Sequence, residues 1–148
     1  MQGGDIDNQI APRIILIFEG LVARLPDRAA AAKEQWYCRT RRWKKAVRMW
    51  EIEEITSKRM WDYSWRQHIQ IDIVTYKPEE FADALGEYLD QASLPYGHLW
   101  SATPTQMARA MASLVNVIAV FDPNPAHVNL YGPRGRIITN PYVGPAWM

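Results

Sequence analysis

Three polar residues stand where short apolar runs stop. Glu19, followed by Gly20, closes the run from Ile14 to Phe18; Thr75 closes a β-branched run that begins at Gln70; and Asp122 closes the run from Val117 to Phe121. Two carboxylates and a hydroxyl brought together at adjoining strand ends can move a proton, hold a divalent cation or contact a phosphate. Each also has a plainer use. Glu19 can be a partly exposed strand-end acid, Thr75 a hydroxyl capping the next helix, and Asp122 a turn residue ahead of Pro123. With three scattered histidines, His68, His98 and His127, and one cysteine, Cys38, no zinc-type ligand spacing and no internal disulfide framework can be assembled.

A second chemistry-bearing stretch is basic. Arg39, Arg41, Arg42, Lys44, Lys45 and Arg48 lie around Trp43, with no acidic residue between Glu34 and Glu51. Cations interleaved with an indole suit single-stranded nucleic acid, the cations meeting phosphate and the ring stacking on a base. The competing reading is a solvated hairpin or a surface ion-paired with Glu51, Glu53 and Glu54, which follow directly. The glycines of Gly132-Pro133-Arg134-Gly135-Arg136 lack the Lys-Ser/Thr of a phosphate-binding loop and read as a turn.

The elements that must position these residues alternate between strand and helix. The run from Ile14 to Phe18 is apolar at five successive positions, the pattern of a strand covered on both faces in a parallel sheet. Strands are also expected from Gln70 to Tyr76, from His98 to Ser101, from Val117 to Phe121 (covered on both faces again), and at an edge from Ile137 to Thr139. Between them, Pro78 opens a helix with Phe81, Leu85, Tyr88 and Leu89 on one face, and Thr103 caps another that begins at Gln106. Residues 28–34, rich in alanine, read as a short exposed helix or an ordered loop. Thr56 or Ser57 is expected to cap a helix with Met60, Trp61, Ser64, Trp65 and His68 along its buried stripe, His68 ending it. Strand and helix in alternation define an α/β fold, a three-layer Rossmann-like sandwich with a mostly parallel sheet. Residues 1–12 read as a tail and 13–148 as one domain, with 26–55 a small cap or arm.

Taken in chain order, these strand ends resemble the haloacid dehalogenase (HAD) superfamily. Ile17-Phe18-Glu19-Gly20-Leu21-Val22-Ala23 sits where that family has Asp-x-Asp-Gly-x-x, Ile73-Val74-Thr75 resembles its second motif, and Ala119-Val120-Phe121-Asp122 its acidic fourth. The resemblance implies a nucleophilic carboxylate at position 17, where this chain has Ile17, and a general acid and base at Glu19, one methylene longer than the family's aspartate. Isoleucine has no nucleophilic atom, so an aspartyl-phosphate cannot form there. The family's lysine has no counterpart in Thr103-Pro104-Thr105-Gln106-Met107, although Arg109 follows a turn later. The resemblance thus implies a pseudoenzyme: no catalytic residues, a degenerate pocket of Glu19, Thr75 and Asp122, and no cofactor, with Mg²⁺ relevant only if Glu19 and Asp122 sustain a residual phosphohydrolase.

The remaining numbers bound the setting. At 148 residues, net charge +1 and 48% hydrophobic residues, the chain is sized and composed as one globular domain with no bilayer-spanning run. No basic-apolar secretory leader opens it, and a reducing compartment fits its cysteine usage, so the expected location is the cytoplasm of a bacterial host or a virion. Seven tryptophans are many for so short a chain; core packing accounts for Trp more often than interface contact does, and Trp with Arg also dominates interface hot spots. The expected partner is therefore a protein, whether a second copy or a virion component. The Trp/Arg-rich texture is similar in style to small proteins of bacteriophages of actinobacteria. The alternative partner is nucleic acid, met through 39–48, and no membrane is expected.

Overall fold

Alternation within the first apolar run sets up the architecture. In strand β1 (Arg13–Ile17), Ile14 and Leu16 point to one side of the sheet and Ile15 and Ile17 to the other, and all four are buried. Both faces therefore need cover. The computed structural model describes residues 12–111, 113, 114 and 116–137, with the side chains of 136 and 137 outside the description. Within those residues five strands form one parallel sheet: β1, β4 (Gln70–Thr75), β5 (His98–Ser101), β6 (Val117–Asp122) and β7 (Gly135–Ile137), in spatial order β5-β4-β1-β6-β7. The chain builds outward from β1 through β4 to β5, then returns to the other side of β1 for β6 and β7.

One face is covered by helix α3 (Glu54–Trp61), which continues as a π-helical turn (Asp62–Arg66), and by helix α4 (Glu79–Gln91). Ile14, Leu16 and Phe18 there meet Met60, Tyr63, Phe81, Leu85 and Leu89. On the opposite face Ile15 and Ile17 pack with Met107 of helix α5 (Pro104–Ala110), with Met111, and with Tyr131 of a 3-10 segment (Asn129–Arg134) that follows the short helix α6 (Pro125–Val128). The result is a three-layer Rossmann-like α/β sandwich, as the sequence predicts, and its sheet is parallel at every pairing described.

Residues 25–50 lie between two short strands, β2 (Ala23–Arg24) and β3 (Glu51–Ile52), which pair antiparallel beside the main sheet; the expected cap over 26–55 thus also takes in β3 and the start of α3. The residues between β2 and β3 hold helices α1 (Arg28–Arg39) and α2 (Trp43–Arg48). The Asp27 side chain accepts from the Ala30 N–H at 2.8 Å and starts α1 as a full helix of 12 residues, longer than the exposed helix or loop expected over 28–34. The insertion is docked rather than extended. Tyr88 of α4 donates to the Trp50 carbonyl at 2.7 Å, and Phe18 lies 5.2 Å from the Trp50 ring.

Four sequence expectations need correction. Neither Thr56 nor Ser57 caps α3: the N-cap is Glu53, and the Thr56 hydroxyl, inside the helix, donates 2.7 Å to the Leu21 carbonyl. The buried stripe of this segment is Thr56, Met60 and Tyr63, whereas Trp61 and Trp65 are exposed. Met60 and Trp61 are adjacent and equally apolar, so periodicity alone allows either face, and the β2–β3 side of the molecule selects Thr56. Strand β6 is not covered on both faces throughout, because Ile118 is 50% exposed. The expected edge strand begins earlier, at Gly135, and Ile138 and Thr139 lie outside the described residues. Gly135 is required there: a Cβ would sit 2.5 Å from the Val128 carbonyl oxygen.

Candidate functional site

In an open α/β sheet the crevice lies beyond the carboxyl ends of the strands, where the strand order reverses. That point is here the gap between β1 and β6, which Glu19 and Asp122 border, with Thr75 beside them at the end of β4. Gly20 makes the turn after β1 possible. Its φ is +87°, and a Cβ would approach the Pro123 ring to 3.2 Å, so the two strand ends close on each other at a residue without a side chain.

Thr75 pairs directly with Glu19, whereas Asp122 meets them only through Tyr76, and each of the three is hydrogen-bonded within the protein. Thr75 donates its hydroxyl to Glu19 Oε2, and the Tyr76 N–H donates to Glu19 Oε1 at 3.0 Å. The Thr75 oxygen itself accepts from the Lys77 N–H at 3.2 Å. Burial raises the Glu19 pKa above the ordinary glutamate value, because the desolvation of its carboxylate outweighs the Thr75 and backbone hydrogen bonds and the nearby Lys77 cation. Thr75 is thus a link between Glu19 and the next turn rather than a helix cap, the N-cap of α4 being Pro78.

Asp122 is held more fully. Its Oδ1 accepts from the Asn124 N–H at 2.8 Å, which is the turn role the sequence allowed. Its Oδ2 accepts from the Tyr76 hydroxyl, from the Tyr131 hydroxyl at 3.0 Å and from His127 Nδ1 at 3.1 Å. The His127 tautomer follows from its neighbours. Asn124 Oδ1 accepts from the Ala126 N–H at 3.0 Å, which orients the amide so that its nitrogen faces His127 Nε2 at 3.2 Å. Nε2 therefore accepts, and Nδ1 carries the proton it gives to Asp122. Burial first, with the neighbouring Asp122 carboxylate adding to it, pushes the Tyr76 and Tyr131 phenols well above the ordinary tyrosine range. Neither is a phenolate near neutrality.

A magnesium ion needs several free, convergent oxygen ligands. Every carboxylate oxygen of Glu19 and Asp122 already accepts from the protein, the two acids sit at opposite ends of Tyr76, and position 17 contributes only the buried Ile17 side chain. Among the described residues no group of three or more His, Cys, Asp and Glu side chains is placed to hold a metal. This donor set does not fit the ion.

Sequence reasoning missed Tyr76, Lys77, His127, Tyr131 and Glu34 as members of this region. Lys77 is the cation at the strand ends, from the turn after β4, whereas Arg109 on α5 is exposed. It pairs at 3.4 Å with Glu34 of α1, a buried carboxylate that also accepts from the Trp50 indole N–H at 3.1 Å and from the Cys38 thiol at 3.4 Å. Burial, then the adjacent Glu34 charge, pushes the Cys38 thiol up to about 11, so it is unreactive at neutral pH. Tyr76 and Lys77 carried one legible signal, their position directly after a predicted strand. Tyr131 and Glu34 carried none.

The basic segment runs from the end of one helix through a turn into the next. Arg39 ends α1, Arg41 and Arg42 form the turn, and Lys44, Lys45 and Arg48 lie on α2. Its acidic neighbours come from α4, not from Glu51, Glu53 and Glu54: Lys44 approaches Glu87 at 3.7 Å, while Glu53 pairs with Arg24 at 2.8 Å and Glu54 with Lys58 at 3.4 Å. A hollow of about 490 Å³ there has Arg41, Arg42, Lys44 and Lys45 on one wall and Glu80, Asp83 and Glu87 on the other. Trp43 packs against the core and Lys45 rests 5.9 Å from the Tyr37 ring. The mixed charge and the half-buried indole suit a nucleic-acid strand poorly.

No family model matches the chain, and no curated protein matches it. Among solved structures it is similar to the HAD domain of effector protein Lem4 from Legionella pneumophila, with a TM-score of 0.47 and 11% identity, covering 82% of this chain and 77% of that one. An inactive mutant of the same domain gives a TM-score of 0.47 and 10% identity, covering 82% and 76%. No helix among the described residues is long and apolar enough to cross a membrane.

Proposed function

We propose that this chain is a HAD-like domain without phosphotransfer chemistry, serving protein-protein interaction or assembly. The observation that carries the reading is the occupancy of the strand-end carboxylates. Each oxygen of Glu19 and Asp122 accepts a hydrogen bond from the protein, Oδ2 of Asp122 from three donors, and the two carboxylates are held at opposite ends of Tyr76 rather than converging on one point. Ile17 removes the nucleophile, and the neighbouring tyrosines are held as neutral donors. What the molecule presents to solvent instead is aromatic: Trp36, Trp61 and Trp65 are 55%, 39% and 70% exposed. Trp is enriched at interfaces relative to the rest of a protein surface. A partner, a virion component included, would meet those rings rather than the strand ends.

The test is a phosphatase assay with p-nitrophenyl phosphate over a range of Mg²⁺, alongside thermal melts at the same metal concentrations. No turnover and no metal-dependent rise in Tm are expected, since an ion that binds the native state would raise it. Turnover that disappears in Glu19→Ala would overturn the reading.

A further inference from the structure

Helix α3 and its π-turn carry an outer face that no element of the described fold uses. Along it lie Glu54, Lys58, Trp61, Asp62, Trp65 and Arg66, five of which line a shallow hollow of about 460 Å³. The two indoles stand side by side with ring centroids 6.0 Å apart, and Trp65 is the most exposed large apolar side chain described. We propose that this face is a self-association surface, which pairs antiparallel across a two-fold axis with the same face of a second copy of this chain. The proposal deepens the assembly reading above and rests on it.

The charge order argues for this occupant. Glu54, Lys58, Asp62 and Arg66 follow one another at four-residue steps, so the face reads negative, positive, negative, positive along the helix. Reversed by a two-fold axis, the same row opposes itself with complementary signs. Glu54 meets Arg66 of the second copy, and Lys58 meets Asp62 of the second copy. A parallel pairing in register would set like against like. A nucleic-acid strand would meet two carboxylates with two cations and gain no net attraction.

The midpoint of the row falls near Met60, which places Trp61 of each copy beside the axis, with Trp65 next to it. Aromatic side chains at the centre and charges at the rim is the usual anatomy of an isologous interface. The charges are not locked against it. Within one chain Lys58 reaches Glu54 at 3.4 Å and Arg66 reaches Asp62 at 3.5 Å, exposed pairs whose hold on their partners is weak.

Size sets the strength. Thirteen residues, the 8 of α3 and the 5 of its π-turn, make a rod about 20 Å long. One such pair covers less than the roughly 800 Å² per partner of a standard interface, so the dimer should dissociate on dilution, with a Kd on the order of micromolar or weaker.

Sedimentation velocity on the full chain, from about 1 μM to about 1 mM, reads the equilibrium directly. Wild type should shift from monomer to dimer within that range. The all-basic face of E54K/D62K and the all-acidic face of K58E/R66E should each stay monomeric while keeping a native circular dichroism spectrum, and the two mixed in equal amounts should form a heterodimer. Trp61→Ala should weaken association about tenfold or more, as loss of a central anchor does. Wild type that remains monomeric, charge variants that associate like wild type, or a mixture that stays monomeric would each overturn the proposal. So would quenching of tryptophan fluorescence in monomeric protein by an oligothymidylate, which would give the face to nucleic acid. Magnesium-dependent turnover would sink the assembly reading itself, whatever sedimentation shows.

Discussion

At the carboxyl ends of β1, β4 and β6, each oxygen of Glu19 and Asp122 accepts a hydrogen bond from the protein, while along α3 the indoles of Trp61 and Trp65 lie open to water. Enzymes ordinarily arrange these two economies the other way round. An active crevice leaves polar groups unsatisfied so that substrate can satisfy them, and the outer face of a helix carries charge. Here the crevice is closed by its own hydroxyls and the helix keeps large apolar groups outside. The difference teaches where each region's free energy resides: the strand ends contribute to folding, and the α3 face contributes nothing to the monomer that its exposure would explain.

The largest effect expected from breaking this contrast is at Asp122. Asp122→Ala leaves the His127 Nδ1–H, the Asn124 N–H and one of the Tyr76 and Tyr131 hydroxyls, which also contact each other, without an acceptor. With about 1–3 kcal/mol for each buried donor left unpaired, and water reaching some of them, a loss of about 3 kcal/mol is expected in urea unfolding. A loss under about 1 kcal/mol would show that the network is decoration and the crevice is free to bind. Gly20→Ala comes next. A left-handed φ costs a non-glycine residue about 1–2 kcal/mol, and the new methyl also presses on Pro123, so a comparable loss in the same measurement is expected.

Glu19→Gln sharpens the comparison through its pH dependence. Because burial raises the Glu19 pKa, the native state favours its neutral form. The contribution of this acid to stability is therefore full below the ordinary glutamate range and is lost as pH rises through the raised native value. Glutamine is neutral at every pH. The variant should match wild type below about pH 4 and become the more stable of the two toward neutrality, as read from urea midpoints across pH. The opposite slope would mean that Glu19 is held ionised, as a catalytic base would be. Smallest of all, Trp61→Ala with Trp65→Ala should leave the stability of dilute monomer within about 0.5 kcal/mol, since neither indole is part of the core.

Much of the scaffold was legible residue by residue. Ile14 to Phe18 read as a covered strand because an unbroken apolar run has no solvent side, and Gln70 to Tyr76 read as a strand from its β-branched residues. The Pro78 and Thr103 helix starts are local chemistry: Thr103 and Gln106 cap each other at 3.2 and 2.8 Å, contacts that depend on three residues of chain. The site was legible only as a list of strand ends. That Thr75 would reach Glu19 across 56 residues, or Lys77 reach Glu34 across 43, is a property of sheet order and of where α1 docks, neither of which leaves a periodic trace. The basic run shows the same limit, its counter-charges arriving from α4 rather than from the acids beside it in sequence.

By residue identity alone the sequence determined that position 17 carries no nucleophilic atom, that the chain alternates strand with helix, and that Glu19, Thr75 and Asp122 fall where apolar runs stop. These follow from side-chain chemistry and local periodicity, which act over a few residues. Only the tertiary structure decided that Asp122 would be closed over by Tyr76, Tyr131 and His127, and that α3 would bury Thr56, Met60 and Tyr63 while turning Trp61 and Trp65 outward. A helix with apolar residues on two sides has two acceptable orientations in isolation. The choice belongs to the surface it packs against.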